Sequence, residues 1–311
     1  MLDEFSKTLI NERKKGVEVA PAWFTNSGET LPLDPTIIHS DVLDGYRNKV
    51  EFTVGRGYLP PRPGTSELWN PEGPVVVGFN RTNLSRGISF VENPEIIRVN
   101  SRQSVAVAKT FEELIRSCPG AEYSPFDKAR NKGFWRILLY RESKTTKQVL
   151  ICVVVSKATL ENPVPPMSSE IKEKLVAKFG SGTELEGGLR VVSLSVITSD
   201  DLTGGYKEGD DWEILSGGGH YEEILCGLRF TVSPFAFFQV NTLVFEKMLA
   251  LITEFAGIDS QTVLFDICCG TGAIGLCLSK NAKKVIGVEL IEQAVENARH
   301  NVLVNSDQLL A

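Results

Sequence analysis

Three glycines, Gly270, Gly272 and Gly275, form the spacing G-x-G-x-x-G within the run VLFDICCGTGAIG. The run starts as an apolar strand and continues as an apolar helix, so the glycines fall in the turn between them. Such glycines let the backbone turn tightly and let a ligand approach the helix N-terminus. Glu289 ends the next predicted strand, VIGVE. Its carboxylate can accept both hydroxyls of a ribose, so the pattern predicts a nucleoside-bearing cofactor, and a purely structural turn is the alternative.

Asp266 lies four residues before Gly270 and distinguishes between two cofactors that fit this outline. A dinucleotide such as NAD would place its pyrophosphate beside this carboxylate, a repulsion of about 1–4 kcal/mol at ~4 Å. S-adenosylmethionine has no phosphate and carries a sulfonium and an ammonium group, which a nearby acid favours. The residues therefore favour S-adenosylmethionine. The alternative role for Asp266 is that of an anion at the N-terminus of the following helix.

The elements around the glycine turn read as strand, turn, helix, strand and helix, which is typical of a parallel, doubly wound α/β domain. We expect an N-terminal helix and linker over 1–40, an α+β domain of antiparallel strands with two helices over 41–230, and the first part of the doubly wound domain over 231–311. Apolar periodicity predicts helices over 104–118, 168–180 and 242–255. The Gly- and Asp-rich residues 199–219 predict a surface loop or hairpin tip.

The composition limits the function classes. The 311 residues include 33 Lys and Arg against 39 Asp and Glu, a net charge of −6 that argues against binding nucleic acid through the whole surface. No apolar run reaches the ~18 residues of a membrane helix. Six Cys without a C-x-x-C pair and three His predict no zinc site, and the apolar surroundings of the cysteines predict reduced thiols. The N-terminus lacks secretory and transit-peptide features, which favours cytoplasm or nucleus and leaves the mitochondrion open.

Three stretches of the sequence resemble the RNA uracil-C5-methyltransferase family, specifically the eukaryotic tRNA (uracil-5-)-methyltransferase homologues that modify the T-loop uridine. They are GYRNKVEFTVG at 45–55, SPFAFFQVNT at 233–242 and the run from 263 to 301 that contains the glycine turn. The resemblance implies a Rossmann-like S-adenosylmethionine-dependent domain, which follows an α+β domain that handles RNA. It implies S-adenosyl-L-methionine as the cofactor and tRNA as the partner, with no metal and no membrane.

The resemblance also implies roles for individual residues. The Gln of the family's F-F-Q-V-N motif contacts the cofactor, which points to Gln239, and the residue before C-G in the glycine turn lines the cofactor, which points to Cys268. The family's acid at the end of the second strand holds the ribose, which points to Glu289. With Asp266, Gly270 and Gly272, these residues complete the predicted cofactor site.

A basic strand face supplies the candidate RNA contacts. Arg47 and Lys49 project from one side of the strand YRNKVEFTVG, opposite an apolar side. The resemblance places this strand in the RNA-handling domain, so both residues are predicted to contact phosphate groups, and a solvated strand face is the alternative. The aromatic residues of the F-F-Q-V-N stretch can be core residues or RNA contacts; they are Phe235, Phe237 and Phe238.

The family's chemistry needs a Cys thiolate that adds to C6 of uracil, after which C5 takes the methyl group and a base removes the C5 proton. The family's nucleophile lies in an S-C-N-P-like turn, which does not occur in this sequence. We therefore expect the nucleophile and the general base beyond Ala311, and we expect this chain alone to be inactive. The function predicted is that of a tRNA (uracil-5-)-methyltransferase. An NAD-dependent oxidoreductase and a non-catalytic tRNA-binding module are the alternatives.

Overall fold

A computed structural model describes residues 38–59, 73–83, 88–118, 120–128, 130–201 and 205–309. The N-terminal helix predicted within 1–40 lies outside these residues. The described residues from Ser40 onward belong to one compact unit. The boundary predicted near residue 230 lies inside this unit and stays a prediction.

The strands of the described residues belong to three sheets. They are β1 (Lys49–Arg56), β2 (Val75–Asn83), β3 (Ile88–Glu92), β4 (Trp135–Glu142), β5 (Gln148–Ser156), β6 (Glu184–Leu185), β7 (Leu189–Ser199), β8 (Asp211–Gly217), β9 (Tyr221–Leu225), β10 (Leu228–Val232), β11 (Val263–Ile267) and β12 (Lys284–Val288). The main sheet has the order β3-β2-β1-β4-β5-β7-β6, and β8 also pairs with β7. Strands β9 and β10 form an antiparallel hairpin, and β11 and β12 form a parallel pair.

The helices of the described residues begin at side-chain caps in three cases. The helices are α1 (Arg102–Arg116), α2 (Ser169–Phe179), α3 (Thr242–Phe255), α4 (Ala273–Leu278), α5 (Glu292–Val304) and α6 (Ser306–Leu309). The side-chain oxygens of Ser101, Ser168 and Asn241 accept the backbone N–H three residues later and cap α1, α2 and α3. Helix α3 has the predicted bounds, whereas α1 begins two residues before the predicted 104 because Ser101 is its cap.

The main sheet contradicts one sequence-based expectation and confirms another only in part. The sheet is mixed and not wholly antiparallel, because β5 and β7 pair in parallel. A parallel pair needs a long crossover connection, and α2 lies in the segment between these two strands. The segment 199–219, expected to be a surface loop or hairpin tip, connects β7 to its antiparallel partner β8, as a hairpin tip does. It also contains β8 itself, which pairs with β7 from Thr198 to Ser193.

The apolar core lies on both faces of the main sheet. On one face, α1 packs over β1 and β2, and α2 packs over β7 and β8. Val50, Phe52 and Val54 of β1 are buried on this face, as the alternation predicts. On the other face, Leu150 and Cys152 of β5 pack in a second cluster. This cluster also contains residues of β9 and β10, of α3 and of α4. The glycine turn is therefore anchored to the main sheet through α4. Among the described residues, no helix is long and apolar enough to cross a membrane.

Candidate functional site

The glycine turn begins where β11 ends and adopts an unusual backbone. Cys268, Gly270 and Gly272 have positive φ angles of 62°, 55° and 79°. Only glycine enters this region without a steric cost from Cβ. A Cβ atom added at Gly270 would meet no atom within 4 Å, so the space beside the turn is open. Gly272 then caps α4. The turn thus exposes main chain that a ligand can approach closely.

Glu289 holds the glycine turn against the end of β12. Its Oε2 accepts a hydrogen bond from Gly270 N at 2.9 Å, and its Oε1 accepts from Leu290 N at 2.7 Å and Ile291 N at 3.0 Å. These backbone donors lower the pKa of the carboxyl group, with that of Ile291 the strongest. A carboxylate has roughly four acceptor positions, so three are used and Oε2 keeps one free. The free position can accept a hydrogen bond from one ribose hydroxyl, whereas the sequence predicted hydrogen bonds from both hydroxyls.

Asp266 lies one strand away from Glu289 and is buried, with 8% of its surface exposed. Its Oδ2 accepts a hydrogen bond from Gly275 N at 2.8 Å, in the first turn of α4. Burial raises the pKa of this carboxyl group, and the hydrogen bond from Gly275 opposes that shift. The bond corresponds to the alternative role considered for Asp266, an anion at the helix N-terminus. Contact with a cofactor stays a prediction for this residue.

A cavity of about 340 Å³ lies between the glycine turn, α4, β12 and α5. It brings together three predicted site residues, Asp266, Gly272 and Glu289. The remaining lining residues are Cys269, Gly275, Leu276, Ser279, Val285, Gly287, Val295, Ala298, Arg299 and Val302. Small-molecule sites usually measure about 300–1,000 Å³ and combine apolar walls with a few polar groups. The cavity and the open space beside Gly270 fit a nucleoside-bearing ligand.

Three predicted cofactor residues do not line this cavity. Gly270 is one of them, although its N–H donates to Glu289, which does line the cavity. Cys268 is exposed, and its neighbour Cys269 is the cysteine on the cavity wall. Gln239 is half-buried, and its main-chain oxygen accepts a hydrogen bond from Asn48 Nδ2 at 3.1 Å. The roles of Cys268 and Gln239 at the cofactor therefore stay predictions.

The loop that carries Gln239 is held by two residues that the sequence did not single out. Asn48 N donates to Val240 O at 2.9 Å, and Asn48 Nδ2 donates to Thr242 Oγ1 at 3.0 Å. Arg141 is fully buried in β4 and donates to the main-chain oxygens of Pro234 and Ala236. The sequence offered one signal for Arg141, since an arginine directly after the apolar strand RILLY is expected to be buried. A buried guanidinium needs hydrogen-bond partners, and here they come from this loop.

The basic strand face opens into a groove of about 490 Å³, named here the first groove. Arg47 and Lys49 line it, as do Phe79 and Phe237. Lys49 forms an ion pair with Glu51 at 2.7 Å. Burial, reinforced by the charge of Arg141, lowers the pKa of Lys49. Both predicted RNA contacts therefore share one concave surface with aromatic side chains.

The three phenylalanines of the F-F-Q-V-N stretch have different surroundings. Phe238 is buried in the second core cluster, and Phe235 packs edge-on against Trp212. Phe237 is 76% exposed and projects at the first groove. Exposure of so large an apolar ring beside two cations is typical of a surface on which nucleobases stack.

Five of the described cysteines have a raised thiol pKa. Burial raises the pKa of Cys118, Cys226 and Cys269, and it raises that of Cys152 to about 12. Burial also raises the pKa of Cys277. These shifts disfavour the thiolate that a nucleophile needs, so we assign none of these five cysteines a catalytic role. The described residues contain no group of three or more His, Cys, Asp or Glu that could hold a metal ion.

Comparisons with known proteins agree with the geometry of the glycine turn. Residues 228–310 match the family model tRNA (Uracil-5-)-methyltransferase. The chain is 34% identical over 260 residues to tRNA (uracil-5-)-methyltransferase homolog A of Mus musculus, covering 84% of this chain and 39% of that protein. It is 31% identical over 305 residues to homolog B of Danio rerio, covering 97% of this chain and 58% of that protein. The chain thus spans between about two fifths and three fifths of these relatives.

A solved structure shares the fold. The chain superposes with a TM-score of 0.59 and 18% identity on the tRNA (uracil-54, C5)-methyltransferase of Pyrococcus abyssi, a structure in complex with S-adenosyl-L-homocysteine. The superposition covers 86% of this chain and 55% of that one. The relatives and the motifs agree with the matched domain, so residues 228–310 carry the domain of the tRNA (uracil-5-)-methyltransferase family.

Proposed function

We propose that this chain supplies the cofactor site and an RNA-binding surface of an enzyme that transfers a methyl group from S-adenosyl-L-methionine to C5 of a tRNA uridine. The observation that carries the proposal is the cavity at the glycine turn, with the Glu289 carboxylate held at its edge by three backbone N–H groups. The family whose model matches residues 228–310 supports the same reaction.

Glu289 orients the nucleoside part of the cofactor. Because its Oε2 also accepts from Gly270 N, the carboxylate and the turn are fixed relative to each other before a ligand arrives. Such preorganisation reduces the conformational entropy that binding costs. When bound, S-adenosyl-L-methionine supplies an electrophilic methyl group on its sulfonium. The open space at Gly270 lets the ligand lie against the main chain.

Asp266 supports the sulfonium cofactor over a dinucleotide. Its carboxyl group occupies the cavity wall beside the N-terminus of α4, the place where a dinucleotide would set its pyrophosphate. The Gly275 N–H that would meet a phosphate already donates to Asp266. No observation among the described residues favours an NAD-dependent oxidoreductase.

The first groove supports RNA as the methyl acceptor. Arg47 and Lys49 offer charge to phosphates, and the exposed ring of Phe237 offers a stacking surface. The α+β part of the chain would then be the RNA-handling part, and the Asn48 and Arg141 contacts hold the loop that carries Phe237 in place. A non-catalytic tRNA-binding module would keep this groove without using the cofactor cavity.

Binding of an unmodified tRNA transcript, followed by fluorescence anisotropy over a series of salt concentrations, tests this proposal. The chain should bind, and the double variant Arg47→Gln/Lys49→Gln should bind less tightly with a salt slope reduced by about 1–2. The matched control is Lys172→Gln/Arg190→Gln, because each of these cations is paired with a glutamate and neither lines the first groove. An absence of tRNA binding, or equal losses in variant and control, would contradict the proposal.

A further inference from the structure

A second concave surface adjoins the first groove and has no role in the function proposed above. This second groove has a volume of about 600 Å³ and is lined by Asp44, Gly45, Glu95 and Ile97, by Arg98, Asn100 and Arg102, and by Val105, Ala106 and Lys109. Ile97 and Asn100 line both grooves, so the two are continuous. A ligand longer than one nucleotide can therefore pass from one groove into the other.

The charge of the second groove differs from that of the whole chain. Its walls carry three cations and two carboxylates, whereas the chain has a net charge of −6. Arg98 pairs with Asp44 at 2.7 Å, and Lys109 pairs with Glu95. These pairs are exposed at the surface, where an ion pair contributes ~0–1 kcal/mol, so a phosphate can compete for either cation. Arg102 is exposed and has no ion-pair partner among the described residues.

Asn100 lies where the two grooves meet, and the environment of its side chain is unusual. It is 7% exposed, and neither its Nδ2 nor its Oδ1 has a hydrogen-bond partner within the part of the chain that the structure describes. A buried polar group without a partner is costly, and native proteins contain few of them. The amide offers an NH₂ donor and a carbonyl acceptor, a combination that ribose hydroxyls and base edges complement, whereas a phosphate can accept from the NH₂ group only.

We propose that the second groove holds the RNA strand that continues from the nucleotide in the first groove, with phosphates at Arg102 and Lys109 and with a nucleotide group that pairs with the Asn100 amide. The inference rests on the proposed function, because it names the path of the same RNA substrate. It adds to that function a second contact surface at the start of α1. This surface accounts for Arg102, which has no ion-pair partner among the described residues, and for Asn100, whose amide has no hydrogen-bond partner there.

The tRNA anisotropy titration tests the phosphate contacts with Arg102→Gln and with Arg102→Gln/Lys109→Gln. The double variant should lose about 5- to 20-fold in affinity at low salt and about 1–2 in the salt slope, while its Tm stays unchanged. Lys172→Gln/Arg190→Gln is again the matched control. Unchanged affinity and slope in the Arg102 variants, together with a loss in Arg47→Gln/Lys49→Gln, would overturn this inference alone. A chain that does not bind tRNA at all would overturn both proposals.

Asn100→Leu provides an independent test, because it should move stability and binding in opposite directions. Replacing an unpartnered buried amide by an apolar side chain of similar size should leave the Tm unchanged or raise it. The same variant should weaken tRNA binding about threefold or more, since the RNA loses its partner at the junction. A lowered Tm with unchanged tRNA affinity would show that the amide serves the fold and would overturn its assignment to RNA.

Discussion

Replacement of Glu289 by Gln should raise the Kd of the cofactor strongly and lower the stability of the folded chain only slightly. The carboxylate has one free acceptor position on Oε2, the oxygen that also accepts from Gly270 N. Loss of one hydrogen bond between a ribose hydroxyl and this charged acceptor costs about 1.5–3 kcal/mol. That free energy corresponds to a rise in Kd of about 10- to 150-fold.

The substitution keeps part of the local structure. The oxygen of a Gln side chain can still accept from Leu290 N and Ile291 N, the two donors that Oε1 serves. The amide nitrogen would face Gly270 N, so the turn loses one acceptor and the preorganisation that it provides. Because the Glu289 pKa is already lowered, the wild-type carboxylate is ionised throughout the neutral pH range in which the measurement is made.

Isothermal titration calorimetry with S-adenosyl-L-homocysteine measures the effect directly. Glu292→Gln is the matched control, since Glu292 is an exposed carboxylate at the start of α5 and lines no part of the cavity. The control should keep the wild-type Kd within about twofold, as surface substitutions do. If Glu289→Gln folds normally and binds S-adenosyl-L-homocysteine as tightly as the control does, the assignment of Glu289 to the ribose is refuted.

Three further substitutions test other parts of the account. Phe237→Ala should weaken tRNA binding in the anisotropy assay by about 1–3 kcal/mol without lowering the Tm, because the ring is exposed; an unchanged affinity would remove it from the RNA surface. Asn48→Ala should lower the free energy of urea unfolding by about 1–3 kcal/mol, because Gln239 O and Thr242 Oγ1 lose their donor; equal stability would show that the loop does not depend on it. Burial raises the pKa of Glu223 from 4.5 to about 7. The folded chain therefore binds more protons than the unfolded chain between these two pH values. The free energy of unfolding should fall by about 3 kcal/mol as the pH rises through this window. Urea titrations at pH 5 and pH 8 should show that the free energy of unfolding falls less for Glu223→Gln than for the wild type. An equal fall in both would contradict the raised pKa of Glu223.

The local elements could be predicted from the sequence because their signals are local. Helix α3 has the predicted bounds, since Asn241 caps it and its apolar residues recur at helical spacing. The burial alternation of β1 follows from the period of two in its side chains. The glycine turn was recognisable because positive φ angles at Gly270 and Gly272 require this residue type.

The contacts that join distant segments could not be predicted in the same way. The parallel pairing of β5 with β7 depends on where the chain returns after α2, which no local pattern encodes. The hydrogen bonds from Arg141 to the loop of Phe237 join residues about 95 positions apart. At the cofactor cavity, spacing predicted that Glu289 lies near the turn, but the number of its acceptor positions already used depends on backbone geometry.

A comparison of two ligands tests the central claim most directly, namely that the glycine turn binds S-adenosyl-L-methionine. Calorimetric titration of the unmodified chain with S-adenosyl-L-homocysteine should show one site per chain, and the same titration with NAD should show no binding at equal concentration. A chain that binds NAD at this site as tightly as S-adenosyl-L-homocysteine, or that binds neither ligand, would contradict the account.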